Sequence, residues 1–429
     1  MVGLANCYAG RKEYSAAIEW EIKACAAIPP ELKTFKYYYL QKVSRWRQKL
    51  KDVEGAVETA KEAYMLQKDS LLAINTYIVA LNAAYQYEEI IEFAESLQER
   101  KSEKSGDDYL TDLLSEYNAA HDIISNAARE AGKLDFMRQA IDTAIVSAVA
   151  KGFVRKAAAE RFALANFNFR YANKEEEAIQ LWEEIYEGVK DKKESLSIPI
   201  WSQLRIYCSE SLAERYFSKA TNARERGEPT DNWISKLQKL AMHEKEVKKG
   251  GYNTSNAASV LGTWYHSIGN EKEAKACFKL KMLEAIAMLF DDDPRNDSSG
   301  YAALAGLLLL AGRQAEAGAA FSIVLSPSDA AKDNDPEYLY LCDGPCNKLS
   351  SECEELHFCT VCLNATVFCE KCIGLVKSNK LGYRKCSSGH EFFMAYPIAE
   401  KIEDPNMFKI SGKTILIKDW LADLKTEWT

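Results

Sequence analysis

Two segments of this chain, LGTWYHSIGNEKEAKACF at 261–278 and LAGLLLLAGRQAEAGAAF at 304–321, carry equivalent residues at equivalent intervals. In the first, Leu261, Gly262, Tyr265, Gly269, Ala274 and Phe278 are separated by 1, 3, 4, 5 and 4 positions. In the second, Leu304, Ala305, Leu308, Gly312, Ala317 and Phe321 follow the same spacing. Apolar residues three and four apart on either side of a glycine describe two helices joined by a turn. Small residues at Gly262/Ala305 and Ala274/Ala317 let the two helices approach closely, and the aromatic residue fills the groove between hairpins. One such hairpin cannot bury its own apolar face, so a chain built from them must stack them.

Degenerate copies extend the pattern towards the N-terminus. YSAAIEWEIKACAAIP places Tyr14, Ala17, Ala24 and Pro29 on a second helix, after Leu4, Ala5 and Tyr8 on a first. DVEGAVETAKEAYML sets Ala56 and Ala63 seven apart, YEEIIEFAESL has Ile90 in the alanine place, and ANKEEEAIQLWEEI carries Ala178 and Trp182 after Ala165 and Phe169. The pattern of Leu-Gly, Tyr, Gly, Ala, Phe and Pro resembles the tetratricopeptide repeat. The resemblance implies an all-α, right-handed helical solenoid of about eight hairpins over 1–325, with an inner groove that holds a protein or peptide partner. The hairpins near 108–150 and 199–249 are the least regular. Where the family grips a terminal carboxylate with Lys and Asn four apart on first helices, no expected first helix here carries that pair. Met1 falls inside a first helix with no capping Ser, Asp or Asn, the expectation for an arm cut from a longer chain.

Composition narrows the function classes. The chain has 429 residues, of which 47% are hydrophobic and 28% charged, and its net charge of −8 argues against general nucleic-acid binding. MVGLANCYAG runs into RKE without the layout of a secretory signal, and YAALAGLLLLAG at 301–312 is too short to span a bilayer. These features predict a soluble cytoplasmic or nuclear protein with no membrane partner. Twelve cysteines in a reducing compartment point away from disulfides. Eight of them lie between Cys342 and Cys386, whereas Cys7, Cys25, Cys208 and Cys277 sit singly in helical patterns as small core residues.

The segment SPSDAAKDNDPEY, 326–338, has no apolar period and reads as a linker. Beyond it, over 339–395, four ligand pairs can be drawn: Cys342 with Cys346, Cys359 with Cys362, Cys369 with Cys372, and Cys386 with His390. Each short pair closes a turn that aims two donors at one ion, and two pairs complete a tetrahedron, so eight donors make two zinc sites. Pairing can be sequential or interleaved. The gap between Cys362 and Cys369, with Val367 and Phe368 in it, suits a strand running from one site to the other. It favours Cys342, Cys346, Cys369 and Cys372 on one Zn2+ and Cys359, Cys362, Cys386 and His390 on a second. A module with few large apolar residues should depend on metal to fold. Cys353 and His357 lie outside the pairs and read as a spectator and a packing residue.

The run CDGPC, HFCTVC, VFCEKC and a histidine-containing last pair resembles the ZZ-type zinc finger. That resemblance implies a second interaction surface, and acidic side chains that receive peptide N-termini; Asp343 is the one position that matches. The first pair is spaced by three residues rather than two, the last is Cys/His rather than two histidines, and LNATVF between the middle pairs holds no acid. A RING ubiquitin ligase is the rival cross-brace, but its fourth and fifth ligands usually stand two or three residues apart. A redox Cys-x-x-C needs a strand before it and a helix dipole behind it, whereas here three cysteine pairs and a Cys/His pair lie within 49 residues; a catalytic metal needs an open coordination position, and eight ligands for two ions leave none. No catalytic or small-molecule cofactor-binding residue is therefore expected.

Over 396–429, MFKISGKTILIKDWL reads as a hairpin turning at Ser-Gly, with Phe408, Ile410, Ile415 and Ile417 on its strands. SGKT lacks the glycine of a phosphate loop, since Met407 stands in its place. The final DWLADLKTEW is amphipathic, and Trp420, Leu421, Leu424 and Trp428 should pack on the finger or the last repeat. Together these features predict a non-enzymatic scaffold or adaptor. The alternatives are a ubiquitin-ligase component and the regulatory arm of a larger signalling protein.

Overall fold

The structure, a computed structural model, describes residues 1–116, 118–191, 199–249, 256–291, 293, 296–325, 340–346, 348, 350–362, 366–381, 386, 388–395 and 406–429. The linker expected at 326–338 lies outside them, as does Leu363–Ala365 of the LNATVF strap. No helix among the described residues is long and apolar enough to cross a membrane. The chain forms two compact units, Met1–Leu181 and Trp182–Thr429.

In the first unit, helices follow one another with short turns: α1 (Val2–Gly10), α2 (Tyr14–Ala26), α3 (Lys36–Lys49), α4 (Val53–Leu66), α5 (Leu71–Ala83), α6 (Tyr87–Gln98), α7 (Tyr109–Glu116), α8 (Asn118–Glu130), α9 (Leu134–Ala150) and α10 (Val154–Arg170). The division between the units falls within α11 (Glu175–Val189). In the second unit come α12 (Pro199–Glu225), α13 (Asp231–Lys249), α14 (Ala257–Ser267), α15 (Glu271–Met288), α16 (Asp297–Leu310) and α17 (Gln314–Leu325). Within each unit, consecutive helices pack on one another in solenoid fashion. The irregular stretch near 108–150 has a physical form: the short α7 and α8 both pack on α6, so the alternation of hairpins is interrupted there.

The small residues picked out by spacing lie at the helix contacts. Ala17, Ala56, Ala63, Ile90, Ala178, Ala305 and Ala317 are fully buried, and Ala274 nearly so. A side chain at Gly262 would press on the ring of Phe278, with the first carbon only 2.9 Å from it. That glycine is what lets α14 and α15 close on the aromatic residue.

The turns repeat more faithfully than the residues that form them. Gly269 and Gly312 have φ of +75°, and the next amides, of Asn270 and Arg313, each donate to a carbonyl five residues back, Tyr265 and Leu308, both at 2.8 Å. This is the Schellman ending, which satisfies a carbonyl that the helix leaves unpaired. The degenerate copies adopt the same conformation without glycine. Lys12, Lys51 and Tyr85 sit at φ of 61°, 62° and 57°, and the amides of Glu13, Asp52 and Gln86 make the same bond at 3.0, 2.9 and 3.0 Å. Capping is uneven: Asp52 and Ser70 accept amides of α4 and α5 through their side chains, whereas α1 starts without a side-chain cap.

After α17 the second unit changes character. A three-stranded antiparallel sheet has the order β2-β1-β3, from β1 (Leu356–Cys359), β2 (Val367–Cys369) and β3 (Phe392–Ala395). A short helix, α18 (Cys372–Lys377), follows β2. A separate hairpin joins β4 (Met407–Ile410) to β5 (Lys413–Leu416) through Ser411 and Gly412, both at positive φ, the turn whose twist matches that of paired strands. Phe408 stands opposite Ile415 as the alternation requires. Ile417 is not on the strand, however, but opens the last helix, α19 (Ile417–Trp428), although its amide still donates to the carbonyl of Asn406 at 2.9 Å, one further rung in the register of the hairpin.

One hydrophobic cluster runs through α15, α16, α17, the sheet, the hairpin and α19. At its centre Phe321 of α17 stacks on Phe358 of β1 with ring centroids 3.9 Å apart, and Phe393 and Tyr340 flank the pair at 6.1 and 6.0 Å. Trp420, Leu421, Leu424 and Trp428 of α19 are all buried. Arg313 and Glu316 of the last hairpin bind Glu427 and the Trp420 indole at 2.8 and 3.2 Å.

Phe321→Ala is expected to cost about 3–5 kcal/mol, and hydrogen exchange should show α17 and β1 losing protection together. Lys51→Gly, by relieving left-handed strain, should raise stability by up to about 1 kcal/mol, measured as a higher denaturation midpoint.

Candidate metal centres

Strand pairing decides how the cysteine pairs meet. β1 and β2 are antiparallel, with Leu356 opposite Cys369 and Phe358 opposite Val367. Cys359 therefore ends β1 at one end of the ladder while Cys369 ends β2 at the other, a separation of about 10 Å for three residues at strand rise. One ion cannot bridge that span. Pairs two and three therefore belong to different centres, and the places of pairs one and four settle whether the arrangement is sequential or interleaved.

At one end the sulfurs of Cys342, Cys346, Cys369 and Cys372 all lie within 4.8 Å of one another. At the other, the sulfurs of Cys359, Cys362 and Cys386 and a ring nitrogen of His390 do the same. Pairs one and three thus come together, and pairs two and four. In the first group Cys346 stands 3.6 Å from Cys369 and 3.5 Å from Cys372. In the second, Cys362 and Cys386 are 3.7 Å apart, and Nδ1 of His390 is 3.4, 3.4 and 3.5 Å from Cys359, Cys362 and Cys386. A tetrahedral ion with metal–sulfur bonds of about 2.3 Å and a metal–nitrogen bond of about 2.0 Å requires edges of about 3.8 and 3.5 Å. The donor sets fit. The separations also exceed the sulfur–sulfur bond of a disulfide, about 2.05 Å.

The surrounding backbone is arranged for thiolates. Amides of Gly344 and Cys369 donate to Sγ of Cys342 at 3.4 and 3.3 Å, and those of Val361 and Cys362 donate to Sγ of Cys359 at 3.4 and 3.2 Å. Gly344 is the residue that reasoning from ligand spacing overlooked. Any side chain there would collide with Cβ and Sγ of Cys372 on α18, so the CDGPC turn admits only hydrogen at its centre. The signal was present as the glycine between Asp343 and Pro345, but the collision depends on a helix 28 residues further on.

Burial pushes the Cys342 thiol far above its usual range, and burial likewise raises Cys372 to about 12. Closely packed thiols resist deprotonation unless a cation offsets their charge, so these groups would bind a metal by exchanging protons for it. Cys353 is buried beside the first centre, within reach of Cys369 and Glu370, yet the four paired cysteines already complete a tetrahedron there. His357 lies on β1 with Nε2 3.4 Å from Glu355, and burial lowers its pKa. The Asp343 carboxylate accepts the Val367 amide at 2.9 Å, and the Asp343 amide donates to the Val367 carbonyl at 2.8 Å. Its side chain thus ties the first ligand turn to β2. Cys25, Cys208 and Cys277 lie within helices, where burial raises their pKa.

Both centres can hold an ion with every tetrahedral position taken by protein, which suits bracing rather than catalysis. No protein-family model matches the chain, and no curated protein sequence matches it significantly.

The purified chain should carry two divalent ions, read by elemental analysis. Gly344→Ala should reduce this to one while leaving the second centre filled. Because protons compete with the ion for thiolates, metal affinity should fall as pH falls and rise as pH rises, followed by release to a chromogenic chelator.

Proposed function

We propose that the chain is a non-enzymatic interaction scaffold. Its repeats, read as tetratricopeptide-type, hold a protein partner, and its C-terminal module, read as ZZ-like, is braced by two Zn2+ ions and offers a second surface. The observation that carries this reading is the pair of four-donor centres, which leave an ion no open position for a substrate or water. One set offers four sulfurs and the other three sulfurs and a nitrogen, the donor chemistry that favours tetrahedral zinc among common cellular metals. Consecutive helix packing around small residues supports a repeat scaffold, a form that offers extended binding surfaces. A cytoplasmic or nuclear location agrees with twelve cysteines of which eight fall in one short metal-ligand segment.

Interleaved centres are also the arrangement of RING ubiquitin ligases, so that activity is the second reading. Incubating the zinc-loaded chain with a panel of ubiquitin-conjugating enzymes separates the two. The scaffold reading expects no self-ubiquitination, and expects a partner whose crosslinks concentrate on first helices such as α14 and α16. Self-modification that disappears with Cys359→Ser would replace the scaffold by the ligase.

A further inference from the structure

Between α14, α15 and α16 and the second metal centre lies a cleft of about 430 Å3, whose wall on the module side includes Tyr340, Cys359 and Cys362. Its lining on α16 is apolar, with the small Ala302, Ala303 and Gly306 beside Leu307, Leu309 and Leu310. A carbon added at Gly306 would meet nothing within 4 Å, so the space above this helix face is open. Two hydroxyls on the cleft wall are buried without a hydrogen-bond partner, Ser259 Oγ and Tyr340 Oη. Ser259 is 1% exposed and Tyr340 8%. The Tyr340 ring is packed edge-on against Phe358 at 5.0 Å and Phe321 at 6.0 Å, so its hydroxyl is not free to swing to water.

Buried polar groups in native folds are nearly always paired, and an orphan is a place where a missing partner belongs. We propose that this cleft binds an extended peptide segment of a partner protein, seating one uncharged apolar side chain over Gly306 while Ser259 and Tyr340 hydrogen-bond the peptide backbone. A hydroxyl both donates and accepts, which matches the N–H and C=O of an amide. The charges at the cleft are each paired: Lys281 stands 3.9 Å from Glu244, and Glu284 pairs with Lys248 at 2.5 Å. An anion finds no unbalanced cation there, and a bare acyl chain would leave both hydroxyls unpaired. An apolar wall with a few fixed polar groups is the usual make-up of a specific pocket. The site rests on the scaffold reading and gives that scaffold a place and a ligand chemistry, formed jointly by repeat and module.

The probe is acetyl-Gly-Leu-Gly-amide, titrated into the metal-loaded full chain and followed by amide NMR, with decanoate as the lipid control. Saturable shifts are expected at Gly306 and Cys362. Ser259→Ala and Tyr340→Phe should each weaken binding by about three- to tenfold. Neither removes a hydrogen bond from the free protein, so loss of binding would not reflect unfolding. Gly306→Leu should abolish the shifts while helicity and metal content stay unchanged. Absence of saturable shifts, binding indifferent to Gly306→Leu, or occupancy by decanoate in place of the tripeptide would each overturn the site. If Gly306→Leu leaves capture of a crosslinked partner intact, the cleft falls and the scaffold stands; if no partner is captured by either form, the scaffold reading falls.

Discussion

The stack of Phe321 on Phe358 is the contact on which the second unit turns. Phe321 holds the place that, one hairpin earlier, Phe278 uses to fill the space beside Gly262. At the last hairpin there is no further repeat to receive it, and the sheet of the cysteine module takes that role. The apolar groove that would end in water is covered by β1, β3 and α19. Burial of a ring on this scale contributes several kcal/mol, about as much as one large core side chain can. The module is thereby part of the hydrophobic core of its unit.

The same contact bears on the metal centres. Phe358 is fully buried, and one residue later Cys359 turns to the second centre, while across the ladder Phe368 leads into Cys369 of the first. The strands that pack on the solenoid are the strands that carry ligands. Order at a centre therefore stiffens the face that covers Phe321, and the cover in turn fixes where the ligands stand. Neither the four-donor geometry nor the cover would be strong alone in so small a sheet.

Much of this was legible in the residues. The 1, 3, 4, 5, 4 spacing identified the α14–α15 and α16–α17 hairpins, their close-approach positions and their turn glycines, because small residues and glycine leave few other uses. The cysteine spacings marked out both donor sets. The turns at Lys12, Lys51 and Tyr85 were not legible, since bulky residues there give no hint of a left-handed backbone; stacking on neighbouring helices imposes it. Ile417 was misread as strand because alternation continues through it; its amide does extend the hairpin's bonding to Asn406, but the chain turns helical at that residue. Gly344 went unnoticed for a similar reason, its constraint being a helix distant in sequence.

Local periodicity and donor spacing by themselves determined that helical hairpins would stack and that eight donors would serve two centres, since both are set by residues within a few positions of one another. Tertiary structure alone decided what the last aromatic of the repeat would touch, which strand ends would bring donors together, and that two hydroxyls of residues lining a cleft would be left without partners. Those outcomes depend on surfaces from Ser259, Phe321, Tyr340 and Phe358 meeting in space. No spacing along the chain encodes such a meeting, because packing is settled by shape and burial between segments rather than within them.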